Sequence, residues 1–169
     1  MKKALLLLLL LMIAGPAWAT DINVAAASAG GVPTVGGAWT TSDVSRVNDG
    51  DKFYSAGYAN TGATGYVEVA FGVSHVSSVT ATMAPALSSS IDWSVSLWYG
   101  GAWHVIATGF QGTVGTLDYT YGGSWSNVSK ARVDITSAGG TAGGGVFELA
   151  AMGTYGSTSV DSSLDIGGD

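Results

Sequence analysis

Residues 91–107, which read IDWSVSLWYGGAWHVIA, contain the pattern that decides the fold class. In the first half, Trp93, Val95 and Leu97 alternate with small or polar residues, which is the two-residue period of a half-buried β-strand. A glycine pair at 100–101 then provides the residues that a tight hairpin turn favours, and a second apolar segment follows. The stretch therefore predicts two antiparallel strands that share one buried face.

Similar segments recur along the chain, and the composition agrees with them. The 26 glycines, together with many Val, Thr, Ser, Tyr and Trp residues, favour strands and turns over helices. About eight short strands separated by regularly spaced turns are typical of an all-β jelly-roll sandwich, which is the fold that we predict. The further predicted strands are residues 66–72, 79–83, about 114–121, 131–135 and 146–152.

The first nineteen residues have the pattern of a secretory signal peptide. A basic Met-Lys-Lys start is followed by an apolar run over residues 4–14 and by Ala-Trp-Ala at 17–19, which fits a small-residue cleavage site. The run is shorter than the roughly 20 residues that span a bilayer, although an uncleaved anchor is the alternative. We therefore expect a signal peptide at 1–19, one domain at 20–153 and a flexible acidic tail at 154–169. The protein is predicted to be secreted, either extracellular or periplasmic, and to have no transmembrane segment.

The charge and cysteine content exclude several classes of partner and site. Beyond residue 19 the chain has four basic and twelve acidic residues, a net charge of −8, because two of its six basic residues lie in the first nineteen. This balance argues against a nucleic-acid ligand, which requires a basic patch. The absence of cysteine excludes disulfides, zinc–thiolate sites and a thiol nucleophile.

A resemblance to a known family rests on five segments that occur in the order expected for it. They are RVNDGD at 46–51, GYVEVAFG at 65–72, WSVSLWYGGAW at 93–103, KARVDI at 130–135 and FELAAMG at 147–153. From about Asp21 to Gly153 the chain resembles the galactose-binding-like β-sandwich domains of the discoidin, or coagulation factor type C, group, which includes many bacterial carbohydrate-binding modules. The terminal cysteine pair of the eukaryotic members is missing, so a disulfide-free, glycan-binding branch fits better. The resemblance implies a secreted, non-catalytic module whose partner is a glycan or a cell-surface polysaccharide.

The same resemblance implies a structural calcium ion, Ca2+. In family members the acidic loop, here residues 46–51, often meets the glutamate of the last strand around the ion. The ligands implied for this chain are the carbonyl of Val47, the side chains of Asp49 and Asp51, and Glu148. Calcium takes about six to eight oxygen ligands, which a turn with carbonyls and carboxylates can supply. The alternative is an Asx-type turn, because Asn-Asp-Gly is also a common turn signal.

Four aromatic residues are candidate ligand contacts, since aromatic rings stack on the apolar faces of sugars. Trp39 and Trp125 lie in glycine-rich segments that are predicted to be loops, where binding residues often occur. Trp98 lies on the polar face of its strand, and Tyr58 follows the acidic loop. The alternative for the loop tryptophans is that they plug the ends of the sandwich or cover its second sheet.

The remaining tryptophans and the histidines are predicted to be structural. Trp93 shares a face with apolar neighbours, and Trp103 matches a buried tryptophan of the resembled family, so we expect both in the core. His75 and His104 are too few and too far apart for a histidine-rich metal centre, and we expect them to be solvent-facing strand residues. The sequence has no G-x-S-x-G motif and no indicative pair of carboxylates for glycoside hydrolysis. We therefore predict a protein that is not an enzyme.

The alternative function is a structural or self-assembling extracellular protein, such as a matrix or appendage component. The segment at 156–169 is rich in Gly, Ser and Asp, a composition that favours disorder and would suit docking or assembly. Self-association is the partner interaction that this alternative implies.

Overall fold

The computed structural model describes residues 20–41, 43–52, 57–59, 64–85, 90–112, 115–139 and 144–156. Within these ranges the chain forms nine β-strands and two 3-10 helices, so the all-β prediction is confirmed. The predicted signal peptide and most of the predicted tail lie outside the described residues. Over the described ranges, no helix is long and apolar enough to cross a membrane.

Along the chain, four short strands come first, and two long strands with a hairpin between them follow. A strand of twelve residues comes last. The strands are β1 (Ile22–Asn23), β2 (Val32–Gly37), β3 (Trp39–Thr41), β4 (Gly57–Ala59), β5 (Thr64–Pro85), β6 (Ser90–Tyr99), β7 (Ala102–Gln111), β8 (Leu117–Gly139) and β9 (Gly144–Tyr155). The 3-10 helices are Ala27–Ala29 and Val44–Asn48. Strand β9 continues to Tyr155, two residues past the domain boundary expected at 153.

Strands β5 and β8 are long enough to take part in both layers of the sandwich. Residues 64–70 of β5 pair with residues 130–136 of β8, whereas residues 74–83 of β5 pair with residues 117–128 of β8. Register shifts in the intervening stretch of β5 separate the two halves. Bulges of this kind bend a strand and let it pass from one sheet to the other.

The pairing thus divides the strands into two antiparallel sheets. In the front sheet the order is β2, the first half of β5, the second half of β8, β6 and β7. In the back sheet the order is β3, β4, β9, the second half of β5 and the first half of β8, with β1 beside β9.

The core lies between the sheets and follows the predicted alternation. In the front sheet, Val67, Val133 and Val95 are opposite one another on three strands and are all fully buried. In the back sheet, Met83 and Leu149 are also fully buried. Truncating a buried Leu or Met to alanine typically costs about 2–5 kcal/mol, so these positions dominate stability.

The β6–β7 hairpin forms where the sequence predicts it, but one of its tryptophans points the other way. Trp93 is 5% exposed, as predicted, and its ring centroid lies 4.6 Å from that of Tyr119. The prediction that Trp103 is a core residue is wrong, because Trp103 is half-buried and pairs with Trp98. Residues directly opposite in a hairpin share a face, so Trp103 lies on the face of Trp98 rather than that of Trp93.

Two predicted breaks between strands are instead bends within strands. The segment between the predicted strands 66–72 and 79–83 is a bulged part of β5, and the glycine-rich segment around Trp125 is part of β8. Trp125 pairs with Val76 of β5. Small residues often indicate turns, but here they accommodate the bends of strands that cross between the sheets.

Candidate functional site

The side chains of the front sheet that point away from the core form a continuous surface, which we call the outer face. Its residues alternate along each strand with the buried core positions. Read across β5, β8, β6 and β7, its rows are Thr64, Thr136, Asp92 and Phe110; Tyr66, Asp134, Ser94 and Thr108; Glu68, Arg132, Ser96 and Val105; and Ala70, Lys130, Trp98 and Trp103.

Cations and aromatic rings stack on one another in the centre of the outer face. The guanidinium carbon of Arg132 lies 3.5 Å from the ring centroid of Tyr66 and 5.3 Å from that of Trp103. The rings of Trp103 and Trp98 meet edge to face, with centroids 5.5 Å apart. Lys130 Nζ lies 6.0 Å from the Trp98 ring centroid. Such contacts hold aromatic side chains in fixed orientations on an accessible surface.

Two ion pairs cross the same surface. Lys130 Nζ lies 3.3 Å from Glu68 Oε1, and an Arg132 nitrogen lies 3.1 Å from Asp134 Oδ1. Burial raises the pKa of Asp134 above its ordinary value, and the charge of Arg132 opposes that rise. Within the described part of the chain, Asp92 has no ion-pair partner.

One end of the outer face contains an open cavity of about 540 Å³, which we call the outer-face cavity. This volume lies in the range of about 300–1,000 Å³ that is usual for small-molecule sites. The lining residues are Asp92, Trp93, Ser94, Thr108, Gly109, Phe110, Asp134 and Thr136. Phe110 is 62% exposed, so the cavity combines carboxylates and hydroxyl groups with an accessible aromatic ring.

Gly109 is required by core packing next to the cavity, because it pairs with Trp93 across β6 and β7. A Cβ atom at position 109 would collide with the six-membered ring of Trp93. The buried Nε1–H of Trp93 has no hydrogen-bond acceptor among the described residues.

The acidic loop and the last strand meet at a second location, as the predicted calcium site requires. Glu148 of β9 is 3% exposed, and its Oε2 atom accepts a hydrogen bond of 3.1 Å from the backbone N–H of Gly50. Burial raises the pKa of Glu148 to about 7, and the charges of Asp49 and Asp51 add to the rise. Carboxylate oxygens are ligands of the type that calcium takes, so the loop and Glu148 supply the ligand chemistry that the predicted ion would need.

The loop also has the geometry of the alternative that the sequence left open. Asp49 Oδ1 accepts a hydrogen bond of 2.8 Å from the backbone N–H of Asp51, which is an Asx turn, and Gly50 has a positive φ of 87°. The side chain of Val47 is fully buried. Among the described residues, no group of three or more His, Asp or Glu side chains is arranged to hold a metal ion. The calcium site at Val47, Asp49, Asp51 and Glu148 therefore stays a prediction.

The predicted aromatic contacts do not come together in one place. Trp98 lies on the outer face, whereas Trp39 and Trp125 are half-buried and pack against the core. Residue Tyr58 belongs to β4, and its side chain lies outside the described part of the structure. The packing of Trp39 and Trp125 agrees with the plug alternative.

The histidines are more enclosed than the sequence suggested. The ring of His104 stacks on that of Tyr99 with centroids 4.0 Å apart, and both histidines are half-buried. His75 Nδ1 lies 3.2 Å from Ser126 Oγ.

The outer-face cavity was not among the sites predicted from the sequence. A signal was present, since Asp92 and Ser94 are the polar partners in the alternation of β6. Phe110 is an apolar residue near the end of β7, and only the register of the hairpin places it opposite Asp92.

Comparison with known proteins finds likeness in structure and not in sequence. No protein-family model matches the chain, and no curated protein is similar to it in sequence. A family 32 carbohydrate-binding module from C. perfringens NanJ, solved with galactose, is 16% identical, with a TM-score of 0.52 over 79% of this chain and 98% of that one. Chitosan-binding module 1 of a chitosanase/glucanase from Paenibacillus sp. IK-5 is 23% identical, with a TM-score of 0.55 over 80% and 99%. Allantoicase from Saccharomyces cerevisiae is 16% identical, with a TM-score of 0.57 over 79% and 43%.

These identities are low, so the likeness concerns the fold. It spans almost the whole of both binding modules and about four-fifths of this chain. The chain therefore has the galactose-binding-like β-sandwich fold.

Proposed function

We propose that this protein is a secreted, non-catalytic module that binds a glycan or a cell-surface polysaccharide through its outer face. The observation that carries the proposal is the outer-face cavity, where Phe110 is accessible beside carboxylates and hydroxyl groups. A sugar ring has an apolar face and a rim of hydroxyl groups. Aromatic rings and hydrogen-bonding side chains on one surface match that chemistry.

The neighbouring aromatic residues extend this surface beyond a single sugar. Trp98 and Trp103 lie on the same face as the cavity, at the turn end of the hairpin. Val105 is 61% exposed in the row between them and the cavity rows. A glycan chain of several sugars could contact the cavity and the tryptophans together, which is why we propose an oligosaccharide or polysaccharide ligand.

The arrangement of carboxylates supports binding rather than hydrolysis. Asp92 and Asp134 both belong to the outer face, on neighbouring strands β6 and β8. A glycosidase places its two carboxylates on either side of the bond that is cleaved. Two carboxylates on one side of a ligand are better suited to accepting hydrogen bonds from hydroxyl groups. The fold itself does not decide, because a fold can host unrelated functions.

We further propose that a structural calcium ion binds at the acidic loop. Support comes from Glu148, which is buried beside Asp49 and Asp51 and has a pKa raised to about 7. A calcium ion would neutralise this charge, and the loop carbonyls would complete its shell of oxygen ligands.

A glycan and polysaccharide array, probed with and without calcium, tests the binding proposal. We expect binding to at least one glycan, and Trp98→Ala should weaken it by roughly fivefold, which corresponds to about 1 kcal/mol. Leu117→Ala is the matched control, because Leu117 is a 42% exposed apolar residue of the back sheet. Absence of binding to every glycan would contradict the proposal.

Self-association is a second candidate, which one feature of β7 favours. In the described residues β7 pairs with β6 alone, and its ten residues, AWHVIATGFQ, contain no Lys, Arg, Asp, Glu or Pro. Natural edge strands usually carry such residues to prevent pairing between molecules. Sedimentation at increasing concentration tests this candidate, and Val105→Lys should shift an assembling protein toward monomer.

A further inference from the structure

We propose that the outer-face cavity selects a positively charged glycan, one whose sugars carry free amino groups. This inference rests on the proposed function and specifies the ligand of the same surface. It is carried by the charges of the outer face and by the position of Asp92 relative to Phe110.

The ion pairs of the outer face leave one charge uncompensated. Lys130 pairs with Glu68, and Arg132 pairs with Asp134. Asp92 has an exposed carboxylate and, within the described part of the chain, no cationic partner. The cavity therefore presents a net negative charge to a ligand, which favours a cation and disfavours a phosphate, sulfate or uronate group.

The register places this charge beside the exposed ring. Asp92 and Phe110 are directly opposite on β6 and β7, so their side chains share the outer face at the closest cross-strand spacing, about 4.5–5.5 Å between Cβ atoms. An amino sugar carries its ammonium group directly on a ring that also has an apolar face. It can therefore stack on Phe110 and pair with Asp92 at the same time.

The remaining lining groups match the hydroxyl groups of such a sugar. Ser94, Thr108 and Thr136 line the cavity with hydroxyl groups that both donate and accept hydrogen bonds.

A lysine-rich peptide also carries ammonium groups, but the cavity favours the glycan. A lysine side chain presents its ammonium on a flexible stem and has no ring to stack on Phe110. The hydroxyl lining would also remain without ligand partners. Binding of such a peptide is therefore an outcome that distinguishes simple charge attraction from sugar recognition.

Titration calorimetry of the purified protein with three probes tests the inference. The probes are glucosamine hexasaccharide, N-acetylglucosamine hexasaccharide and hexalysine, in a mildly acidic buffer that keeps amino groups and carboxylates charged. We expect glucosamine hexasaccharide to bind about tenfold more tightly than its acetylated form, as the loss of one charge-assisted hydrogen bond implies.

Two variants test whether Asp92 causes the preference for glucosamine hexasaccharide. Asp92→Asn should remove most of that tenfold preference, because it should weaken binding of glucosamine hexasaccharide much more than binding of its acetylated form. Asp43→Asn is the matched control, since it removes the same charge at an exposed helix cap where Asn serves equally well. Equal affinity for the two oligosaccharides, or tighter binding of hexalysine, would overturn this inference while leaving glycan binding intact. No binding of any glycan would overturn the proposed function as well.

Discussion

The outer face and the acidic loop are two charged regions of the described structure, and they differ in how their carboxylates are neutralised. On the outer face, Glu68 and Asp134 each lie within 3.3 Å of a Lys or Arg nitrogen. The guanidinium of Arg132 also stacks on Tyr66. The chain itself therefore supplies nearly all of the opposite charge that this surface requires.

Glu148, which meets the acidic loop, has no such ion pair among the described residues. Glu148 is buried beside Asp49 and Asp51, and its hydrogen bond comes from the neutral N–H of Gly50. Lys52 lowers the pKa of Glu148 somewhat, but its Nζ atom is bonded to Asp118 at 2.5 Å. Near neutral pH the buried Glu148 therefore needs a proton or an external cation, whereas the carboxylates of Glu68 and Asp134 on the outer face are already paired with cations of the chain.

The largest expected effect is the pH dependence of stability in the presence of a chelator. The pKa of Glu148 rises from 4.5 to about 7 on folding, so the folded protein retains a proton that the unfolded chain has released. Stability should fall as pH rises from about 4.5 to about 7, by on the order of 3 kcal/mol, and should level off above that range. Below about pH 4.5 the Glu148 carboxyl is protonated in both the folded and the unfolded state, so it adds no pH dependence to stability there.

Urea unfolding at a series of pH values measures this dependence. Glu148→Gln should abolish the decline, and at neutral pH in chelator the variant should be more stable than the wild type. If the two proteins show the same pH profile, Glu148 is not the group responsible. The difference in charge compensation between the acidic loop and the outer face would then have no effect on stability.

The next effect is the response to calcium. Binding to the folded state alone stabilises by about 2.7 kcal/mol when the free ion is a hundredfold above its Kd. Calcium should therefore raise the melting temperature of the stripped protein, and Glu148→Gln should lose most of that rise. Glu68→Gln is the control, because it makes the same chemical change on the outer face. Identical wild-type melting curves in calcium and in chelator would exclude the site.

The tryptophans extend the comparison from charges to packing. Trp39 and Trp125 pack against the core, so Trp→Ala at either position should cost about 2 kcal/mol or more of stability. Trp93→Ala should cost more still, since Trp93 is 5% exposed. Thermal melts provide the measurement. If neither Trp39→Ala nor Trp125→Ala changes the melting temperature, these residues are not packed in the core and become candidate ligand contacts again.

The ion pairs of the outer face should have a smaller effect. Arg132→Met removes the partner of Asp134 and should cost about 1–2 kcal/mol, because a half-buried carboxylate is left without its cation. Arg132→Lys keeps the charge but not the planar group that stacks on Tyr66, and should cost roughly half as much. Chemical denaturation measures both. Equal losses for the two variants would mean that charge contributes little here.

The sequence predicted the parts of the fold that depend on local pattern. The alternation in β6 identified Trp93 and Leu97 as core residues, and the glycine pair identified the hairpin turn, where Gly100 and Gly101 have φ of 60° and 80°. These features follow from the two-residue period and from the need for positive φ in a tight turn.

Features that depend on strand register were not predictable in this way. The register between β6 and β7 shifts near Ser96, and β5 shifts three times as it bends between the sheets. A shift of one residue reverses which side chains share a face, so the cavity between Asp92 and Phe110 could not be placed from the sequence. The position of Trp103 does not depend on these shifts, since a two-residue turn at Gly100 and Gly101 is enough to place it opposite Trp98.

The smallest expected effect on stability belongs to Phe110, and it separates the binding surface from the core most directly. Because Phe110 is 62% exposed, Phe110→Ala should change the free energy of unfolding by no more than about 0.5 kcal/mol. If its ring stacks on a sugar, the same change should weaken glycan binding by roughly fivefold, which corresponds to about 1 kcal/mol. Calorimetry with the glycan that the array identifies measures the second quantity, and urea unfolding measures the first. Unaltered affinity would show that the ligand does not contact this ring, and the binding surface would then have to be sought around Trp98 and Trp103, at the other end of the outer face.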